Sequence, residues 1–167
     1  MNGWKRWIAI LLSASTVLVL PEARAAEKAT AKIAVSAVVE PNCRLTVEPL
    51  AFGSYDPLGS HTSHDLDARA SMILTCTRDS RASVVMDSGR NGAGRLRSLS
   101  YAGSRLSYEI FRDPAHTKNW GAGADAMQVI AQGLRAPTEL IVYGRIPGGQ
   151  EVGAGSYTDV ITATIDF

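Results

Sequence analysis

The run His61-Thr62-Ser63-His64-Asp65 is the only cluster in this chain with metal-ligand chemistry. On a helix, positions i and i+3 share a face and could reach one ion. Serine, threonine and glycine flank these histidines, so the stretch reads as a loop. Zinc also takes three or four protein ligands in a supported geometry, and no metal site is assigned. The glycine-rich run 89–94 lacks the Gly-Lys-Ser/Thr ending that cradles phosphate and reads as a turn. There is no Gly-x-Ser-x-Gly elbow and no His-Glu-x-x-His, and His61, His64 and His116 all sit in loop-like contexts. Asp56, Asp113 and Asp125 fall at turns, where aspartate bonds local backbone. These residues make no catalytic constellation; the expectation is no enzyme and no cofactor.

Cys43 and Cys76 are not spaced as a Cys-x-x-Cys redox pair. Their chemistry follows from the N-terminus. Lys5 and Arg6 precede an uncharged apolar run from Trp7 to Leu20, and Pro21 ends it. Ala23-Arg24-Ala25 has the small-x-small pattern of a signal peptidase site, so residues 1–25 read as a signal peptide cleaved before Ala26. The run is short for a bilayer span, which takes about 20 residues. In an exported chain two cysteines have one intramolecular pairing, Cys43–Cys76. The leader carries Lys5, Arg6 and Arg24 against Glu22, so the 17 basic and 16 acidic residues of the whole chain become 14 and 15 in the mature one. A near-neutral domain offers nucleic acid no electrostatic footing.

The elements that must position these residues are strands. From 29 to 39 every odd position is apolar: Ala29, Ala31, Ile33, Val35, Ala37 and Val39. Pro41 interrupts the alternation, and an extended segment restarts at Cys43 with Leu45 and Val47 on one side. Further strands are expected at 71–77, 82–86, 106–111, 139–146 and 156–167, each bounded by turn residues. The last has Tyr157, Ile161, Ala163, Ile165 and Phe167 in one phase, with Asp159 a charge in that apolar phase, a mark of a bulge or a rim. Residues 124–134 could form a helical turn or two. Several short strands between turns indicate an all-β sandwich.

The two ends pose a physical problem. The chain stops at Phe167 inside its last strand, while 29–39 offers a strand with no obvious place. A sandwich lacking its final strand leaves an apolar groove beside 156–167, and an exposed edge invites pairing with another chain. Insertion of one subunit's N-terminal strand into the next subunit's groove answers both surpluses, and the contact propagates as a filament. Ala31, Ile33, Val35, Ala37 and Val39 are the expected donor side chains. Tyr157, Ile161, Ala163, Ile165 and Phe167 are the expected groove strand. Periodicity equally allows 29–39 to fold back on its own domain as an ordinary first strand.

The chain resembles the spore coat protein U domain family, which includes pilins of the archaic chaperone–usher pathway. The matching pieces are the alternating N-terminus ending at Cys43, then Leu50-Ala51-Phe52-Gly53-Ser54-Tyr55-Asp56-Pro57 and Leu74-Thr75-Cys76-Thr77. Asp87-Ser88-Gly89-Arg90-Asn91, Leu106-Ser107-Tyr108-Glu109-Ile110-Phe111 and Asn119-Trp120-Gly121 follow. The most specific are Val142-Tyr143-Gly144-Arg145-Ile146-Pro147 and Gly155-Ser156-Tyr157-Thr158-Asp159. The resemblance implies an incomplete immunoglobulin-like sandwich at 41–167, completed by donor-strand complementation, with 26–40 as the donor extension. It implies identical or related pilin subunits, a periplasmic chaperone and an outer-membrane usher as partners. It implies export through the periplasm to a surface fibre (a fimbrium) used in attachment and biofilm formation. The competing readings are a self-contained exported binding module, a spore or surface coat protein, and, furthest off, a metal-dependent enzyme.

Overall fold

In the computed structural model, residues 27–94 and 96–167 are described, and the expected signal peptide lies outside them. The chain divides after Ala37, and Val38–Phe167 holds the sandwich. Its strands are β1 (Cys43–Val47), β2 (Leu66–Cys76), β3 (Arg81–Met86), β4 (Arg97–Tyr101), β5 (Ser104–Phe111), β6 (Met127–Ile130), β7 (Thr138–Ile146) and β8 (Ala163–Asp166). One antiparallel sheet has the order β1-β2-β7-β5-β4 and the other β6-β3-β8. The fold is all-β, as the alternation of side chains requires.

That alternation builds the core, because residues two apart share a sheet face. Met72, Leu74 and Cys76 of β2 point inward, as do Ala82, Val84 and Met86 of β3. Leu106, Tyr108 and Ile110 of β5 and Leu140, Val142 and Ile146 of β7 complete the layer. Trp120 is fully buried and ties the two sheets together. Its amide donates to Ile110 O of β5 at 2.9 Å, and its indole Nε1 donates to Val84 O of β3 at 2.9 Å.

Several elements differ from the sequence reading. β2 starts at Leu66 rather than 71, because its outer half pairs along β7 as far as Leu66↔Ile146. The segment 156–167 is not one strand. Ser100↔Thr158 is an isolated bridge, and ladder pairing resumes only at Ala163. Residues 124–134 form a three-residue 3-10 turn, Gly123–Asp125, and then the short strand β6. β4 carries too little apolar alternation to be read from sequence, since Arg97 and Ser98 are its buried residues.

Two motifs acquire a physical reason. A Cβ on Gly144 would lie 2.8 Å from both Leu50 Cδ2 and Phe52 Cζ, so glycine lets the Leu50-Ala51-Phe52 segment lie directly on the backbone of β7. Next to it, Arg145 faces Asp67 across β2 and β7 and donates two hydrogen bonds to its carboxylate, at 2.7 and 2.8 Å. Those bonds hold the Asp67 carboxyl below its ordinary range.

Candidate functional site

The cysteine expectation is met directly: Cys43 and Cys76 form a disulfide. They are also a register pair, so the bridge joins the start of β1 to the end of β2. The β2–β3 connection, 77–80, is four residues long and places Arg81 near that same pole. Along β3, Met86 pairs with Ala163 and Ser83 with Asp166, so β8 runs toward the disulfide pole while β1 runs away from it. β1 and β8 are therefore antiparallel to each other on opposite sheets.

Among the described residues β1 is bonded only to β2, and β8 only to β3. Between these two edges lies a cleft of about 570 Å³. Leu45 and Val47 of β1 form one wall, and Ile161 and Ala163 form the other. Leu50, Phe52, Met72, Tyr108, Ile110 and Val142 supply its floor and end. The trough is therefore apolar and bordered by two sheet edges that carry no further ladder partner among the described residues.

Of the expected groove residues, Ile161 and Ala163 line this cleft, and Ile165 packs on the core beside it. Phe167 is 56% exposed. Tyr157 sits elsewhere: its ring packs on Tyr101 at 5.7 Å and its hydroxyl donates to Gly153 O at 2.9 Å. Sequence reasoning did not anticipate the contribution of Leu50, Phe52 and Tyr108. The one signal available was their place in matching motifs.

Asp159 sits at the rim of the cleft, held by three donors. Tyr108 Oη donates to Oδ2 at 2.7 Å, and the backbone and side-chain nitrogens of Asn91 both donate to Oδ1 at 3.1 Å. Gly89, at φ +81°, makes room, since a Cβ there would collide with the Asp159 carboxylate. Asp87 captures the Thr162 amide at 2.9 Å, so two carboxylates hold residues 159–162 against the neighbouring loop. The charge in the apolar phase is thus the reason the last strand is broken.

Burial, together with the hydrogen bond to Asp159, raises Tyr108 far above the ordinary phenol range. A raised folded-state pKa contributes stability that is complete below the unfolded value of about 10 and is lost as pH rises beyond it. Wild type should therefore weaken more steeply than Tyr108→Phe between pH 9 and pH 11.5, measured by urea midpoints. Parallel slopes would remove Tyr108 from this role.

The expected donor side chains are all exposed, with Ile33, Val35 and Val39 at 86%, 90% and 78%. Residues 27–42 have no ladder assignment. The three residues before β1 continue its line: Thr77 N donates to Asn42 O at 2.9 Å, and Asn42 N donates to Thr77 Oγ1 at 3.1 Å. The histidine cluster does local structural work. His61 Nδ1 accepts the Asp56 amide at 2.8 Å, and its ring stacks on Tyr55 at 5.0 Å. Among the described residues no three metal-binding side chains converge.

The profile of the spore coat protein U domain matches residues 29–164. The chain belongs to the spore coat protein U domain family. This family member is 32% identical to Protein U of Myxococcus xanthus over 182 residues, covering 100% of both chains. Its fold is similar to a chain in the crystal structure of the CsuC–CsuE chaperone–tip adhesion subunit pre-assembly complex, from the archaic chaperone-usher Csu pili of Acinetobacter baumannii. The TM-score is 0.57 at 20% identity, covering 77% of this chain and 40% of that one. This spore coat protein U domain thus spans less than half of that neighbour's length.

Proposed function

We propose that this spore coat protein U domain is a structural subunit of an exported chaperone–usher fibre, each subunit lending residues 26–40 to the groove of the next. The observation that carries the reading is one apolar cleft flanked by the unfilled edges of β1 and β8, in a chain that also bears an exposed alternating apolar segment. Burying about four aliphatic side chains, at roughly 1.5–3 kcal/mol each, outweighs the entropy of ordering a short segment once the backbone ladder is added. A cis hairpin would have to reverse at Pro41, whereas Glu40-Pro41-Asn42 is bonded in line with β1 by Thr77. That favours donation to a neighbour.

Under this reading an apolar cleft needs shielding during export, which is the task of a periplasmic chaperone, with an outer-membrane usher as the exit. The fibre then serves surface attachment and biofilm formation. The full-length match to Protein U, in a family named for a spore coat, favours a second setting: a coat built from the same subunits.

The test is assembly of the exported chain with and without residues 26–39. The full chain should form multimers that resist detergent until heated. The truncated chain should be recovered only with a chaperone or with an added 26–39 peptide. A full chain that is a stable monomer, unfolded by the truncation, would place the segment in cis and end the fibre reading.

A further inference from the structure

A groove that takes a strand still leaves its register open, and a slip of two residues keeps the same face inward. Three observations narrow it. The first is direction. A strand between β1 and β8 is antiparallel to one and parallel to the other. β8 has only four ladder residues, but its line continues back through Thr162 and Val160, whose carbonyls accept from the Asp87 and Arg90 amides. That edge outruns the five residues of β1, so the more stable antiparallel ladder belongs with it.

The second is length. The apolar positions 31–39 span nine residues on odd numbers, as does the row 159–167, in which Asp159 is the charged rim position and Ile161, Ala163, Ile165 and Phe167 are the apolar ones. Matched end to end, Ala31 falls opposite Phe167, Ile33 opposite Ile165, Val35 opposite Ala163 and Ala37 opposite Ile161. Val39 reaches the rim beside Asp159. A four-residue slip the other way would set Val35 against Asp159 and carry Ala37 and Val39 out of the groove.

The third is charge. Cross-strand neighbours share a face, so the outward residues of the donor meet the exposed Thr164 and Asp166 of β8. Among the described residues Asp166 has no ion-pair partner. In the matched register, and in neither register two residues away, Lys32 lies opposite Asp166.

We infer that the donor segment of a second copy seats antiparallel to β8 with Ala34 opposite Thr164, keyed by a Lys32–Asp166 pair between subunits. The inference rests on the fibre reading and adds register to it. Its test puts cysteines into the full exported chain. Ala34→Cys with Thr164→Cys should give multimers that survive heating in detergent and collapse on reduction. Diagonal neighbours lie about 7–8 Å apart, beyond disulfide reach, so Ala34→Cys with Thr162→Cys or with Asp166→Cys should not. Capture by either of those pairs, or by none of the three while wild type forms heat-labile multimers, overturns the register and leaves the fibre reading standing. Absence of wild-type multimers overturns both. As a second measurement that adds no thiols, Lys32→Asp should lower multimer yield about 2- to 5-fold, and Asp166→Lys in the same chain should restore it. Failure of that restoration counts against the key.

Discussion

Trp120→Ala is expected to cost about 3–5 kcal/mol, a large share of the stability of a domain this size. The side chain is fully buried and its own bonds reach both sheets, through Ile110 O and Val84 O. Removing it opens a cavity at the place where β3 and β5 are held together, and leaves the Val84 carbonyl without its donor. The surroundings resist collapse. Buried Arg97 donates to Trp120 O at 2.8 Å and to Asp87 O at 2.9 Å, so backbone shifts there break further bonds. Trp120→Phe keeps most of the buried area and loses the indole donor, which should cost about 1–3 kcal/mol. Circular dichroism in urea measures both. A cost below about 1 kcal/mol for alanine would show that the two sheets are held by something other than this ring.

Reducing the Cys43–Cys76 bridge is the second large effect. It closes a loop with a sequence separation of 33, for which chain entropy gives about 4 kcal/mol. In a domain of this size that corresponds to a fall in melting temperature of about 10–15 °C. The loss also has a functional side. The bridge pins the first residue of β1, and Leu45 and Val47 of β1 are one wall of the cleft. Cys43→Ser with Cys76→Ser should therefore reduce capture of a 26–39 peptide as well as stability. Peptide capture by the double variant at temperatures where it remains folded separates the two. Unchanged capture would mean that the β1–β2 ladder alone holds the wall.

Charge-paired and glycine positions illustrate how motif and structure divide the explanation. Tyr143-Gly144-Arg145 is a recognisable string, yet its reasons are long-range: Leu50 and Phe52 against Gly144, and Asp67 against Arg145. The string signals importance without naming these partners.

The alternation at 71–77, 82–86, 106–111 and 139–146 was legible because a half-buried strand writes its buried face every second residue. Secretion chemistry likewise paired Cys43 with Cys76 from composition alone. β4 and β6 were not legible. They are short edge strands whose positions come from neighbours rather than from their own pattern. The break in the last strand was also hidden, since it depends on Asp159 and Asp87 meeting partners 68 and 75 residues away. Local periodicity determined which residues face inward. Only the tertiary structure decided that β1 and β8 leave two open edges around one apolar cleft, because which edge lies beside which is a matter of topology, and topology is not periodic.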